Sequence, residues 1–507
     1  MRGGRRIELV LAAVVLAACA LGGHFAGSVA GASAPPPSPI GPWDWPTYGR
    51  SAQHTFSAPT TLDEATAPTL APAWFFPTGD AVTANPIVVG SSVFVGSWDG
   101  FFYALDRGTG QLRWKYQIAP QPAVSPQPGQ VPRDMTSDGG LITSSAWFQP
   151  GDGRRPDLVI FGGGYTLYAL RASDGTEYWR HDYTGRPEAL PDPAHDEARI
   201  FSSPVVVGNR VLFGVTADGQ DGRRGYVAAA NLSTGNPVWQ FETDVDGTGA
   251  ILNDGCGGVW SSPTIDAARG LAIFGVADCN FRGVGPYNER VVALRVSNGT
   301  PAWVFTPPRL EQGDAACDFD FGATANLGTA PDGNAFLGVG GKDGTYYRLD
   351  PATGRLVWSR NLVFGGFAGG FIGTTAYDGQ RVYGATALGD LMPCDPTNPA
   401  DTPLQEPTQH AFDASTGAVA WQQVHAASTA PTTVAGGMVF NGHATDRQVQ
   451  VRDAATGTLL TALVLPANCD SGIAVSREAV FFGTGSSEQG APVGVYAYTP
   501  LGAAPGG

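Results

Sequence analysis

Apolar and polar residues follow one another along this chain in short runs of four to six, each broken by Gly, Asn, Asp or Pro, and one phrase keeps returning. It reads YALDRGTGQLRW (103–114), YALRASDGTEYW (168–179), AAANLSTGNPVW (228–239) and VALRVSNGTPAW (292–303). It returns as YRLDPATGRLVW (347–358), HAFDASTGAVAW (410–421) and VQVRDAATGTLL (449–460). Each copy predicts a strand, a tight turn whose Gly supplies a positive φ, and a second strand closing on Trp in all copies but the last. A recurrence every 40 to 65 residues, with the variation in insertions, predicts blades of four antiparallel strands. The closing Trp is placed to pack on the turn of the next blade, and Thr461 in its place predicts a weaker junction. Trp74 in PTLAPAWFF reads as an outer strand with no blade of its own before it. AVFFGTGS and VGVYAYTP at the C-terminus read as a blade lacking its outer strand. Joining the two predicts an all-β, eight-bladed β-propeller, closed by the N-terminal strand and left with no free edge.

Composition agrees. Of 507 residues, 70 are Gly and 40 are Pro, and only 15% are charged, which suits short strands and turns better than helices. The net charge is −15 and no run of Lys or Arg follows the N-terminus, which argues against nucleic acid as a partner.

The start, MRGGRRIELVLAAVVLAACALGG, is a processing signal: Arg2, Arg5 and Arg6 precede an apolar run too short for a membrane span. Leu16-Ala17-Ala18-Cys19 resembles a bacterial lipobox, which makes Cys19 the lipidated N-terminus; ordinary cleavage near Ala30 to Ala34 is the alternative. Either way the protein is expected to be exported, as a cell-envelope lipoprotein or secreted, with the membrane touched only through a lipid anchor. The expected organisation is residues 1–19 as a lipoprotein-type signal peptide, 20–42 as a stiff Pro-rich tether, 43–500 as the propeller and 501–507 as a tail. Export permits disulfides. Of Cys256, Cys279, Cys317, Cys394 and Cys469, a pairing of Cys394 with Cys469 and one pair among the other three is expected. No C-x-x-C-H occurs, so no haem of the c type is attached covalently.

Candidate chemistry gathers in GCGGVWSSPTIDAARGLAIFGVADCN (255–280). Trp260 stands before a short apolar run, Leu271 to Phe274, that predicts a strand, and Asp278 and Asn280 lie just past its end. An aromatic plate with hard oxygen donors is what a planar, anionic cofactor bridged by a cation requires. A core tryptophan beside a polar turn is the plainer reading of the same residues.

The repeated phrases resemble the pyrroloquinoline quinone (PQQ) repeat over nearly all of residues 43–500, and DWPTYGRSAQHTFSAPTTLD resembles the opening segment of quinoprotein alcohol dehydrogenases of the polyvinyl-alcohol dehydrogenase-like group. The resemblance implies that Trp260 is the floor on which PQQ stacks. Asp278 falls near the family's asparagine ligand to Ca²⁺. In CDFDFGATANL (317–327), Asp320 falls on the catalytic aspartate, a calcium ligand that takes the proton of the alcohol hydroxyl. In GGKDGTYYRLD (340–350), Lys342 takes the place of the Arg or Lys that hydrogen-bonds the quinone; the chain's other lysine is Lys115. Departures accompany the match: the position of the glutamate ligand aligns with Gln220, Asp218 or Asp221 serve only if the loop shifts, the vicinal cysteine pair is missing, and no early glutamate stands near Thr83.

Two functions therefore follow from the resemblance. One is an extracytoplasmic quinoprotein dehydrogenase that oxidises a small or polymeric alcohol, with Asp320 as base, Trp260 and Lys342 on the cofactor, and Gln220, Asp278 and Asp320 on Ca²⁺. Without a covalent haem, its electrons pass to a separate acceptor. The alternative is a cofactor-free propeller that binds or scaffolds other proteins. Among the seven histidines no metal-ligand pattern, and in the chain no nucleophile elbow, favours a hydrolase or a lectin.

Overall fold

Each repeated phrase folds as the outer hairpin of a four-stranded antiparallel sheet: Phe101–Asp106 pairs with Leu112–Gln117, Thr166–Arg171 with Glu177–Asp182, and Val291–Arg295 with Pro301–Phe305. The computed structural model describes residues 40–119, 142–183, 199–216, 224–252, 256–278, 285–311, 319–363, 365–366, 369–387, 408–424, 426–485 and 491–506. Among these residues there are eight sheets, here blades 1 to 8: 87–117, 147–182, 205–242, 264–305, 326–361, 376–423, 433–464, and 474–500 completed by 70–77. The middle strands are buried along most of their length, as in Leu158–Gly163 and Thr166–Leu170, whereas the fourth strands carry mostly exposed and half-buried positions and so form the rim.

The expected closure is present. Leu70–Pro77 pairs antiparallel with Gly494–Pro500, so the N-terminal strand supplies the outer edge of blade 8. The expected staple is present too. The turn glycines Gly110, Gly175, Gly235, Gly299, Gly354, Gly417 and Gly457 all have φ between 68° and 74°. Against them lie Trp74, Trp114, Trp179, Trp239, Trp303, Trp358 and Trp421 of the preceding blades, so close that a Cβ on any of these glycines would fall 2.4–2.8 Å from the indole. Each indole Nε1 also donates to a carbonyl at the next blade's turn, as Trp179 does to Leu232 O at 2.8 Å. Thr461 marks the one junction of the ring without this device. Blade 8 has no hairpin turn there, because its third and fourth strands come from opposite ends of the chain. Trp179→Ala is expected to lower unfolding stability by about 3–5 kcal/mol, the usual cost of emptying a buried tryptophan site. An unchanged thermal midpoint would count against the staple.

The opening segment adds what the repeats lack. Residues 45–61 run along one face of the ring, meeting first-strand residues of blade after blade: Trp45 N to Val88 O (2.7 Å), Phe148 N to Pro46 O (2.8 Å), Ile265 N to Ala52 O (2.8 Å), Leu327 N to Gln53 O (3.0 Å), Tyr377 N to Thr55 O (2.7 Å) and Val434 N to Phe56 O (2.9 Å). Ser57–Ala58 then adds a parallel strand to blade 7, and Thr61 N reaches Arg477 O of blade 8. Trp45 and Phe56 are fully buried beneath the ring. This strap crosslinks seven of the eight blades.

One sequence expectation fails. Cys469 is a free thiol, buried with its Sγ against Gly442 and 3.9 Å from Ser471 O, so it forms no disulfide with Cys394, which lies outside the described residues. Burial in this apolar seam pushes the thiol pKa up, which keeps it protonated and inert. Cys256 is disulfide-bonded.

Candidate active site

The inner strands enter the axis through a short small-residue step, and a row of hydrogen bonds ties these steps together from blade 1 to blade 6. Asn85 N donates to Ser145 Oγ (2.8 Å), Ser145 N to Ser203 Oγ (3.0 Å), Ser203 N to Ser262 Oγ (2.9 Å), Ser262 N to Thr324 Oγ1 (2.9 Å) and Thr324 N to Thr374 Oγ1 (3.0 Å). The residue two positions earlier then faces the axis in blades 1 to 6, as Thr83, Thr143, Phe201, Trp260, Gly322 and Ile372, with Asp470 at the matching place in blade 8; blade 7 contributes Thr429 and Pro431. Together with Tyr48 of the strap they line a cavity of about 520 Å³. That volume suits a small-molecule ligand, and the lining mixes aromatic faces with convergent hydroxyls as ligand pockets do.

Trp260 is half-buried and lies flat on Gly322, where a Cβ would penetrate the ring at 1.7 Å. Gly322 is thus required for the plate to lie where it does. The indole Nε1 donates to Asp320 Oδ2 at 3.2 Å, Asp278 N donates to Asp320 Oδ1 at 2.5 Å, and Lys342 Nζ stands 3.5 Å from Asp320 Oδ2. A backbone bond from Lys342 N to Asp320 O (3.0 Å) fixes the pair further. Asp320 and Lys342 are only 7% and 6% exposed, so the ion pair is formed away from bulk water. Trp260, Asp278, Asp320 and Lys342 come from two neighbouring blades and the loop between them, and the structure brings all four together.

Gln220, the third expected calcium ligand, lies outside the described residues, as do its alternatives Asp218 and Asp221, and also Asn280 and Cys19. Among the described residues no group of three or more His, Cys, Asp or Glu is placed to hold a metal ion. The plate, the ammonium and the cavity fit a planar quinone; toward a calcium ion the described residues offer the carboxylates of Asp278 and Asp320.

A sequence profile described as the glucose/ethanol/alcohol dehydrogenase β-propeller domain, the PQQ family, matches residues 45–361. The chain belongs to this family. A second profile, that of the outer membrane protein assembly factor BamB, matches residues 342–464. Among curated relatives, polyvinylalcohol dehydrogenase from Sphingopyxis sp. (strain 113P3) is 25% identical over 434 residues, covering 78% of this chain and 61% of the relative. Polyvinylalcohol dehydrogenase from Pseudomonas sp. is 25% identical over 369 residues, covering 68% of this chain and 55% of the relative. The chain thus spans little more than half the length of these relatives. In fold it is similar to the quinohemoprotein alcohol dehydrogenase of Comamonas testosteroni, with a TM-score of 0.70, 19% identity and coverage of 90% of this chain and 81% of that one. BamB from Moraxella catarrhalis superposes with a TM-score of 0.54 at 15% identity, covering 85% of this chain and 99% of that one.

Within this PQQ propeller the sequence reading passed over three hydrogen-bonded cavity residues, Trp98, Asp470 and Tyr48. Trp98 donates its Nε1 to Thr83 Oγ1 at 2.8 Å, which puts an aromatic ring and a hydroxyl where no early glutamate stands. Asp470 accepts from Thr429 Oγ1 at 2.6 Å, in the blade four removed from that of Trp260. Position in the repeat was the available signal: Asp470 holds in blade 8 the place of Trp260 in blade 4, and Trp98 follows the second strand of blade 1 as Asp278 follows that of blade 4. Tyr48 is the third surprise. Its hydroxyl bonds Thr374 Oγ1 at 2.8 Å, and burial pushes its pKa up to about 12, so it faces the cavity as a neutral phenol.

Proposed function

We propose that the chain is the propeller of an extracytoplasmic quinoprotein dehydrogenase that oxidises an alcohol and passes the electrons to a separate acceptor. The observation that carries this reading is the contact set of Trp260, Asp320 and Lys342 beside a cavity on the propeller axis. PQQ, when bound, supplies the two-electron oxidant. Trp260 would hold its ring plane, Lys342 would donate to its quinone oxygens, and Asp278 with Asp320, and Gln220 by its place in the sequence, would hold Ca²⁺. Asp320 would accept the hydroxyl proton of the alcohol at its carboxylate, which the Trp260 indole and the Asp278 amide hold in place. Lys342 counters the carboxylate charge of Asp320 and would place a positive charge beside a bound quinone. Low exposure at the pair keeps bulk water from competing with the substrate hydroxyl. The names of the relatives support an alcohol as the substrate, polymeric alcohols included.

The match of residues 342–464 to BamB favours a second reading, a propeller that binds other proteins without a cofactor. Titration of the signal-free protein with PQQ and Ca²⁺, followed by absorbance and by dye reduction with a panel of alcohols, separates the two. Stoichiometric, calcium-dependent binding with dye reduction is expected. No binding at tens of micromolar quinone would reject the dehydrogenase. Export as a lipoprotein is part of the same proposal: Cys19→Ser should move the protein from the membrane fraction to the soluble one, and protein already soluble before the change would refute the anchor.

A further inference from the structure

We infer that Arg309 is the positioning residue of this site: one guanidinium ties together the three segments that carry Asp278, Asp320 and Lys342, each through the residue next in sequence. Arg309 lies on the single helical turn Pro308–Glu311 that follows the outer strand of blade 4. Its Nη2 donates to the carbonyl of Phe319, the neighbour of Asp320, at 3.1 Å, and its Cζ stands 4.4 Å from the centre of the Phe319 ring. Its Nε donates to Asp343 Oδ2, beside Lys342, at 3.2 Å. Its Nη1 pairs with Glu289 Oε2 at 2.6 Å, and Glu289 N in turn donates to the carbonyl of Ala277, the neighbour of Asp278, at 3.1 Å.

This grip is buried and taut. The side chains of Glu289 and Asp343 are 3% and 6% exposed, and that of Arg309 is 12% exposed. Glu289 has φ 52°, a left-handed conformation that a non-glycine residue keeps only when its surroundings impose it. Arg309 and the Ala277 carbonyl impose it from both ends. Asp343 also accepts from the Tyr347 hydroxyl, so its carboxylate cannot swing to follow a displaced partner. The planar fork of an arginine can meet three acceptors in fixed directions; a lysine ammonium meets them as a point. None of these contacts touches the cavity lining, so the effect of Arg309 on chemistry runs through the placing of Asp320 against the Trp260 indole and the Lys342 ammonium.

The inference deepens the dehydrogenase reading and rests on it for its kinetic part only. In Arg309→Gln, kcat is expected to fall by about 100-fold, the size of effect that small misplacement of a reacting group produces, with KM and quinone affinity within about threefold of wild type. Arg309→Lys should retain an intermediate kcat, and added guanidinium should restore part of the activity of Arg309→Gln. Independently of turnover, the indole ¹H–¹⁵N resonance of Trp260, assigned by its loss in Trp260→Phe, should shift in both Arg309 variants as the bond to Asp320 loosens. An unmoved Trp260 resonance in folded Arg309 variants overturns the inference, as does a kcat equal to wild type. If Arg309→Gln does not fold, Arg309→Lys decides by the same resonance. If wild type binds no quinone, the dehydrogenase reading fails, and the resonance still decides whether Arg309 places Asp320.

Discussion

Asp320→Asn lowers alcohol turnover by about 10²–10⁴-fold, the range that a positioned general base supplies, while quinone affinity stays within about threefold. The two halves follow from the contacts. Asparagine keeps a carbonyl oxygen for the Asp278 amide or the Trp260 indole, so the segment stays in place. It removes the one group beside the cavity that the structure sets against both the plate and an ammonium. The measurement is dye reduction at saturating quinone and alcohol, alongside equilibrium binding of the quinone. Turnover unchanged in the variant would remove Asp320 from the chemistry, and the base would have to be sought among the residues that line the cavity, with Asp470 first.

Trp260→Ala weakens quinone binding by about 1–3 kcal/mol, roughly 5–150-fold, the range found when a stacking aromatic is truncated under a planar ring. Because the indole rests on Gly322 and bonds Asp320, the same change also frees the carboxylate, so turnover falls as well as affinity. Trp260→Phe separates the roles: it keeps a flat ring and loses the Nε1 donor. Its affinity should stay near wild type while kcat drops. Unaltered quinone affinity in Trp260→Ala would show that the plate is not the floor of the binding site.

Both variants probe residues that the sequence offers one at a time. Trp260 and Asp320 are 60 positions apart and Lys342 is 22 further on. Resemblance to a family could name them, but their spacing has no local period that brings a side chain of blade 4 against the segment entering blade 5. The row of hydroxyl bonds does that, because the step of blade 4 is tied to that of blade 5. Arg309 gave no signal: it looks like any surface arginine after a strand until three acceptors converge on it.

The blades themselves were legible because they are local. A hairpin closed on a positive-φ glycine, with a Trp at a constant distance beyond it, depends on neighbours within a dozen residues, and the indole-on-glycine staple follows from that pattern. Even the closing strand could be inferred, from one Trp without a blade and one blade without a Trp. The strap, the free thiol of Cys469 and the convergence on Asp320 belong to the closed ring. Each depends on which residues meet across blades, and that is decided only when a chain of hairpins bends until its last sheet accepts its first strand.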